Sequence, residues 1–320
     1  MPKIETRKSL LELFYQYGLF VIFVLLVLVF SILTPKFYSP QNIVNVLQQS
    51  TSLGIAVVGM VFIILTAGID LSAGTNLFFS AMLTALLIQK GAGIFVALIF
   101  PIFFGAAFGS INGFVISKWN VMPFIATLAS MSFGRGIALT IMDQKAKYFS
   151  GDVSTKVMGT RILGIPVIVY GLIIILVVSQ IILKYTRFGR HLYAIGHNEN
   201  AAEKIGINVK RKKFLVYVIG GALAGLSGFV AAAQVGTVTP SFGKGLEFII
   251  ITSAVLGGVS LFGGKGNVLP GAFIGVLIFT VLENGLVLIN ANPYAFLIVR
   301  GLVIFLAVAV DSIRNKGELR

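Results

Sequence analysis

The sequence predicts an all-α polytopic membrane protein of about ten spanning helices, and three observations carry that expectation. Hydrophobic residues make up 57% of the chain and charged residues only 11%, well under the charged share of an ordinary soluble domain. The apolar residues fall in runs of about the 20 residues that a helix needs to cross a bilayer. The basic residues gather between those runs, mostly on one expected side.

The runs lie near 17–34, 51–67, 74–89, 92–116, 123–141, 165–183, 214–233, 247–262, 268–289 and 294–311. The first follows Lys3, Arg7 and Lys8, as in a signal peptide. No small-residue cleavage site comes after it, and the polar stretch "TPKFYSPQN" begins directly, so it reads as a signal anchor. The third and eighth runs are short and interrupted by Gly or polar residues, which leaves nine or eleven helices as alternatives. With the N-terminus inside, 16 of the 25 basic residues fall on the cytoplasmic side, eight of them between Lys184 and Lys213. That excess sets both termini in the cytoplasm. It also accounts for the net charge of +14 without a nucleic-acid partner.

Internal repetition is visible at a shift of roughly 172 residues. "QKGAG" (89–93) comes near "GGKGN" (263–267), "INGF" (111–114) falls on "ENGL" (283–286), and "NVMPF" (120–124) on "NANPY" (290–294). Pro123 and Pro293 then each open a helix at its first turn, where a missing N–H costs nothing. An odd number of helices separates the matched elements, so the single transmembrane domain (1–320) divides into inverted halves, 10–160 and 161–315. Such halves are a signature of transporters, with the pathway at their interface.

Polar residues within the runs are the candidates for that pathway, because an ionisable group at membrane depth faces the bundle interior, a partner or a wet cavity. Asp70, Ser72, Asn76, Asn112, Arg135, Gln234, Glu247, Glu283, Asn284 and Arg300 qualify. Asp70 in "GIDLSAGT" reads equally as a cap for the helix that follows. Glu283 with Asn284 reads as an interhelical hydrogen-bond pair. The small-residue spacings Gly221/Gly225/Gly228, Gly105/Gly109 and Gly271/Gly275 mark close helix contacts, within the chain or along a dimer seam.

No catalytic or cofactor chemistry is encoded. "SLFGGKGN" lacks the first Gly and the Ser or Thr of a phosphate-binding loop, neither H-E-x-x-H nor G-x-S-x-G occurs, no metal-ligand cluster is apparent, and there are no cysteines. No loop expected outside the cell exceeds about two dozen residues, so a capture domain for a dilute solute must be another chain. One soluble-looking segment stands out, "NENAAEKIGINVKRKKF" (198–214), in the cytoplasmic loop 185–213. Asn200, three residues before Glu203, resembles a capping box, and Gly206 suits a C-terminal stop, predicting a one- to two-turn helix. Asn198, Glu199 and Asn200 at one end and Ala201 and Ala202 in the middle suit docking into a groove of a soluble partner.

The segments "GIDLSAGT", "GRHLYAIGHNENAAEKIGINVKRKK", "SAVLGGVSLFGGKGNVLPGAFIGV" and "NPYAFLIVRGLVIFLAVAVD" together resemble the ribose/xylose/galactose-type permeases of bacterial ABC importers, from about residue 40 to 313. The resemblance implies an inner-membrane permease that pairs with a second copy or a paralogue. It would receive a monosaccharide from an extracytoplasmic binding protein and be driven by an ABC ATPase, often one chain with two nucleotide-binding domains. It also implies a coupling role for the loop pattern N-x-x-A-A-x-x-x-G-I, which falls on Asn198, Ala201, Ala202, Gly206 and Ile207. The alternatives are a secondary transporter, for which no coupling-ion site is evident, and an ABC permease for a branched-chain amino acid or nucleoside.

Overall fold

The computed structural model describes residues 10–149 and 151–316. The first half of the chain forms α1 (Leu10–Leu33), α2 (Pro40–Ile64), α3 (Ala73–Gln89), α4 (Ile94–Trp119), α5 (Pro123–Ile141), β1 (Lys147–Tyr148) and α6 (Gly151–Gly159). The hairpin β2 (Arg161–Ile162) and β3 (Ile165–Pro166) leads to α7 (Val167–Tyr185), α8 (Arg187–His197) and α9 (Glu199–Lys204). Next come α10 (Val209–Val235), β4 (Thr237–Val238), α11 (Leu246–Leu256), a π-helical turn (Val268–Ala272) running into α12 (Phe273–Leu288), and α13 (Pro293–Lys316).

Each apolar run of the sequence carries a helix. Among the described residues, α2, α4, α5, α7, α10 and Val268–Leu288 are long and apolar enough to cross a membrane unaided, while α1, α3, α11 and α13 offer shorter apolar stretches. The chain is thus a multi-pass membrane protein. The termini assigned to the cytoplasm, before residue 10 and after 316, lie outside the described residues.

Local chemistry sets several boundaries. Ser39 Oγ accepts the Asn42 N–H and Pro40 takes the first position of α2, a favoured start. α4 ends at Asn120 with φ 53°, and the chain after α12 turns at Asn290 with φ 52°. Asn tolerates this left-handed conformation better than most side chains. In both places a proline then opens the next helix, α5 or α13. The motifs aligned by the repeat therefore both place a left-handed Asn three residues before a helix-opening proline.

The eighth run is corrected: α11 stops at Leu256, and residues 257–262 form turns, with Gly258 at φ 86°. At 1.5 Å per residue its 11 residues span about 16 Å, roughly half a bilayer core. α3 and α11 each follow a non-helical stretch, 65–72 and 236–245. Their first turns meet inside the bundle, where a Cβ on Gly74 would strike the Glu247 carboxylate and the Gly243 carbonyl. Irregular backbone at such depth is tolerated only where protein covers it, and Asp70, Leu71 and Ser72 are buried.

α10 is the hub, packed on α2, α3 and α4, while α11 and α12 pack on each other and on α2. Glycine explains the closeness: a Cβ on Gly221 would meet Gly105 O and the Gly109 backbone, one on Gly225 would meet Pro101 O, and one on Gly228 would meet Leu77 O. Gly271 and Gly275 pack on Gly257 and Ser253 in the same way. These seams are all within the chain, which removes them as a dimer contact.

Helix ends gather at two poles. At one, Gly264 N–H donates to Leu65 O (3.1 Å) and Leu261 N–H to Asp311 Oδ2 (3.2 Å). At the other, β1 pairs with β4 in antiparallel register and Gln89 Nε2 donates to Tyr148 O (3.1 Å).

Candidate functional site

A cavity of about 410 Å³ lies between α2, α3, α10, α11 and α12, within the size range of small-molecule sites. Its polar lining is Gln49, Ser52, Ser227, Gln234, Thr280, Glu283 and the exposed Lys244. Ser52 and Ser227 interlock: Ser52 Oγ donates to Ser227 O (3.0 Å) and Ser227 Oγ to Ser52 O (2.7 Å). Gln234 Nε2 donates to Gln48 O (2.6 Å). Glu283 is held by Arg300 of α13, with Nε at 2.9 Å from Oε1. Hydroxyls, amides, one paired carboxylate and the Lys244 ammonium can all hydrogen-bond a neutral polyhydroxylated solute.

Of the polar residues that the sequence singles out, Glu283 and Gln234 line this cavity; the others brace the fold around it. Asp70 Oδ1 accepts the Ser72 N–H (2.8 Å) and the Ser72 hydroxyl (2.5 Å). Its carboxylate therefore closes a turn at Ser72, the N-cap of α3, and does not reach the N–H groups of the first turn as the cap expectation required. Asn112 Nδ2 donates to Ser72 Oγ (2.8 Å). Tyr217 Oη donates to Ile69 O (3.2 Å), so α4 and α10 both hold this break. Asn76 Nδ2 donates to Gly105 O (3.2 Å) and Gly221 O (3.3 Å), satisfying carbonyls at the α4–α10 contact.

Glu247, in the first turn of α11, lies in the field of Arg135. Arg135 donates to Pro240 O (3.2 Å) and Phe242 O (3.1 Å) and stacks over Phe78. Asn284 exchanges amide hydrogen bonds with Asn42 of α2 (2.9 and 3.1 Å). The expected pairing of Glu283 and Asn284 across helices is met by two separate partners, Arg300 and Asn42. Asn42 stands in the first turn of α2 and Ser72 beyond its far end, so Asn284 and Asn112 lie toward opposite poles.

Sequence reasoning passed over Ser52, Ser227, Gln49 and Thr280. Hydroxyls in apolar helices commonly bond back to their own backbone, as Thr280 Oγ1 does to Val276 O (2.9 Å), so their presence in a run carries little signal.

The second candidate surface is the α8–α9 pair. The sequence predicts only one helix here; α8 is additional. Thr186 Oγ1 accepts the Gly189 N–H (3.2 Å) at its start, and Gly189, Leu192 and Ile195 form its buried side. Tyr193 Oη donates to Gly266 O (2.8 Å), and burial raises the phenol's pKa, keeping it a donor. A Cβ on Gly196 would strike Leu65 O and the Gly264 N–H. α8 is thereby fastened to the exit of α2 and to the α11–α12 loop.

In α9 the cap is Asn198, whose Oδ1 accepts the Ala201 N–H (2.9 Å), and not Asn200, which lies inside the helix. Gly206, at φ 85°, ends it as expected. Ala202 and Ile207 are buried with Ile195 and Val209, so these two pattern positions build the hairpin and are not free for a partner. Asn200, Ala201, Glu203 and Ile205 are exposed, Ile205 to 75%. Glu199 pairs with Lys213 across the hairpin. Burial, then the charges of Lys212, Arg190 and Arg187, lower the pKa of His191 and favour its neutral form.

A family model described as "Branched-chain amino acid transport system / permease component" matches residues 42–308. The ribose import permease protein of Bacillus subtilis (strain 168) is 40% identical over 296 residues, covering 92% of this chain and 90% of the relative. The ribose import permease protein of Escherichia coli (strain K12) is 37% identical over 311 residues, covering 96% and 95%. The D-allose transport system permease protein of the same strain is 38% identical over 304 residues, covering 94% and 93%. No solved structure matches. Helices, glycine seams and near end-to-end similarity together mean that the chain belongs to this family of transport-system permease components.

Proposed function

We propose that the protein is the membrane-spanning subunit of an ATP-driven importer of a monosaccharide, ribose or a closely related aldose, in the bacterial inner membrane. The observation that carries the proposal is the cavity between α2 and α3 on one side and α10, α11 and α12 on the other, lined mainly by hydroxyls and amides, with Glu283 engaged by Arg300 and Lys244 exposed. The family description names branched-chain amino acids, but the cavity's carboxylate, Glu283, is already engaged by Arg300, so the charged amino group of such a solute would meet no free carboxylate beside Lys244. The full-length relatives are sugar permeases.

Inverted halves are supported by α3 and α11, both short and buried and each preceded by a break, and by the matched Asn–Pro segments. Interrupted segments in corresponding positions are a pointer to the site in repeat-built transporters. An ATPase docks on the exposed side of α9, a binding protein delivers the sugar at the β1–β4 pole, and a second permease copy completes the pathway. Movement of α9 passes through α8 to Leu65 and to Gly264 and Gly266, and so reaches both halves together.

Uptake of labelled ribose, allose and leucine into vesicles containing the permease, its ATPase and its binding protein tests the proposal. Sugar uptake that requires ATP is the expected result; transport of leucine alone would overturn it. Ala231→Trp, projecting bulk into the cavity, is expected to cut sugar uptake about tenfold, a loss of roughly 1.4 kcal/mol, with membrane yield and ATPase retention unchanged. Full uptake in this variant would remove the cavity from the pathway.

Because the chain has no cysteines, single-cysteine labelling reports sidedness cleanly. Lys145→Cys is expected to react with an impermeant maleimide in intact cells, and Asn200→Cys only in inverted vesicles. The reverse pattern would invert the proposed topology.

A further inference from the structure

A second cleft, of about 490 Å³, opens between α2, α7 and α10 under the start of α8. Phe62, Ile174, Val178, Ile182, Phe188 and Leu223 line it, and Ser179 is its one polar side chain among the described residues. Ile174 and Val178 are exposed, so the cleft faces outward from the bundle. Such a surface suits hydrocarbon.

Its α8 end is different. Lys212 Nζ lies 4.9 Å from the centroid of the Phe188 ring. Arg187, Arg190 and Lys212 all act on His191, whose Nδ1 is buried without a hydrogen-bond partner. Among the described residues none of these three cations pairs with a carboxylate, and Glu199 is already engaged by Lys213. A general excess of basic residues on one membrane side accounts for orientation. It does not account for Lys212 lying over Phe188 at the edge of an apolar cleft, with Arg187 next to Phe188 in the chain and neither cation paired with a carboxylate among the described residues.

We propose that this cleft binds one anionic phospholipid of the leaflet on the α8 side, an acyl chain lying along α7 and α10 and the phosphate held by Arg187 and Lys212. The inference rests on α8 lying at a membrane face, and not on which solute is carried. Basic pockets between helices recognise anionic headgroups because each cation near the surface adds attraction that a zwitterionic headgroup does not gain. The acyl chain supplies what a free phosphate lacks. The bound lipid would brace α8 against α7 and α10, the elements through which α9 is mounted.

The test uses the purified permease in phosphatidylcholine vesicles, with trace spin-labelled phosphatidylglycerol or spin-labelled phosphatidylcholine, and reads the motionally restricted fraction by electron paramagnetic resonance. The wild type is expected to prefer phosphatidylglycerol by about tenfold, and Arg187→Gln with Lys212→Gln to bring the ratio close to unity. Ala222→Trp, which fills the cleft, is expected to lower the restricted fraction of both probes. Equal association of the two probes with wild type overturns the proposal, as does an unchanged preference in the double variant or an unchanged restricted fraction in Ala222→Trp. Both leaflets carry the label, so the readout is independent of orientation. Loss of sugar uptake with lipid preference intact would count against the importer reading alone.

Discussion

Gly225→Val is expected to lower the yield of folded permease about tenfold or more, the overpacking of a close helix contact costing roughly 3 kcal/mol. A Cβ at this position would fall on the carbonyl oxygen of Pro101 and on the Gly105 backbone. Neither is a side chain that can rotate away, so α10 and α4 must separate. Separation also pulls Gly105 O and Gly221 O from Asn76 Nδ2, leaving buried polar groups without partners. The control is Gly136→Ala in α5 or Gly171→Ala in α7, where an added Cβ meets nothing within 4 Å. Those variants are expected to match or slightly exceed wild type, because Ala favours helix over Gly by up to about 1 kcal/mol. The measurement is monodisperse yield after detergent extraction together with thermal stability. A Gly225→Val protein as abundant and stable as the controls would mean that the α4–α10 contact is not a determinant of the fold.

Ala201→Arg is expected to abolish retention of the ATPase and ATP-driven uptake while leaving insertion and stability intact. Ala201 and Ile205 are exposed and four residues apart, so they share one side of α9. An arginine buried there without a partner costs several kcal/mol, and each ~1.4 kcal/mol is tenfold in affinity. Ile205→Asp should behave the same way, by placing a charge where an apolar side chain is expected to be covered. Ala202→Arg makes the informative contrast: it forces a charge among Ile195, Ile207 and Val209 and should damage the hairpin itself, lowering stability as well as coupling. Co-purification of the ATPase, melting temperature and uptake, measured for all three, separate the cases. Normal ATPase retention by Ala201→Arg and Ile205→Asp would move the coupling surface away from α9.

Helices were the most legible part of the fold because lipid imposes a length of apolar sequence that few other constraints mimic. The eighth run reads as short and interrupted by Gly, but the end of α11 at Leu256 was not legible, since Gly257, Gly258 and Val259 continue the apolar run while the backbone turns. α8 was hidden by its own charge: Arg187, Arg190 and His191 suggest a solvated loop. Its signal was the spacing of Phe188, Leu192 and Ile195, one side of a helix. The cap of α9 was misplaced by two residues because Asn198 and Asn200 are chemically equivalent as caps. Packing of Ala202 against Ile195 decides between them, and that contact depends on α8. Among membrane-depth polar residues, sequence reasoning found those with a structural task, such as Asn76 and Asn284, because amides and carboxylates are conspicuous. It passed over Ser52 and Ser227, where the information lies in two helices meeting and not in either one.

The Asn42–Asn284 and Ser52–Ser227 exchanges join residues 242 and 175 positions apart. During synthesis, at about 5–20 residues per second, Asn42 waits roughly 10–50 s for its partner. Throughout that interval the Asn42 amide has only its local bond to Phe37 O and lacks its cross-helix partner, as does the Ser52 hydroxyl, a condition that lipid penalises and water does not. The N-terminal half is therefore born incomplete, and its maturation is timed by the ribosome reaching α10 and then α12. A chain stalled between them would carry polar groups into the bilayer with nothing to answer them, a mark by which membrane proteases could distinguish an abandoned permease from one still being made.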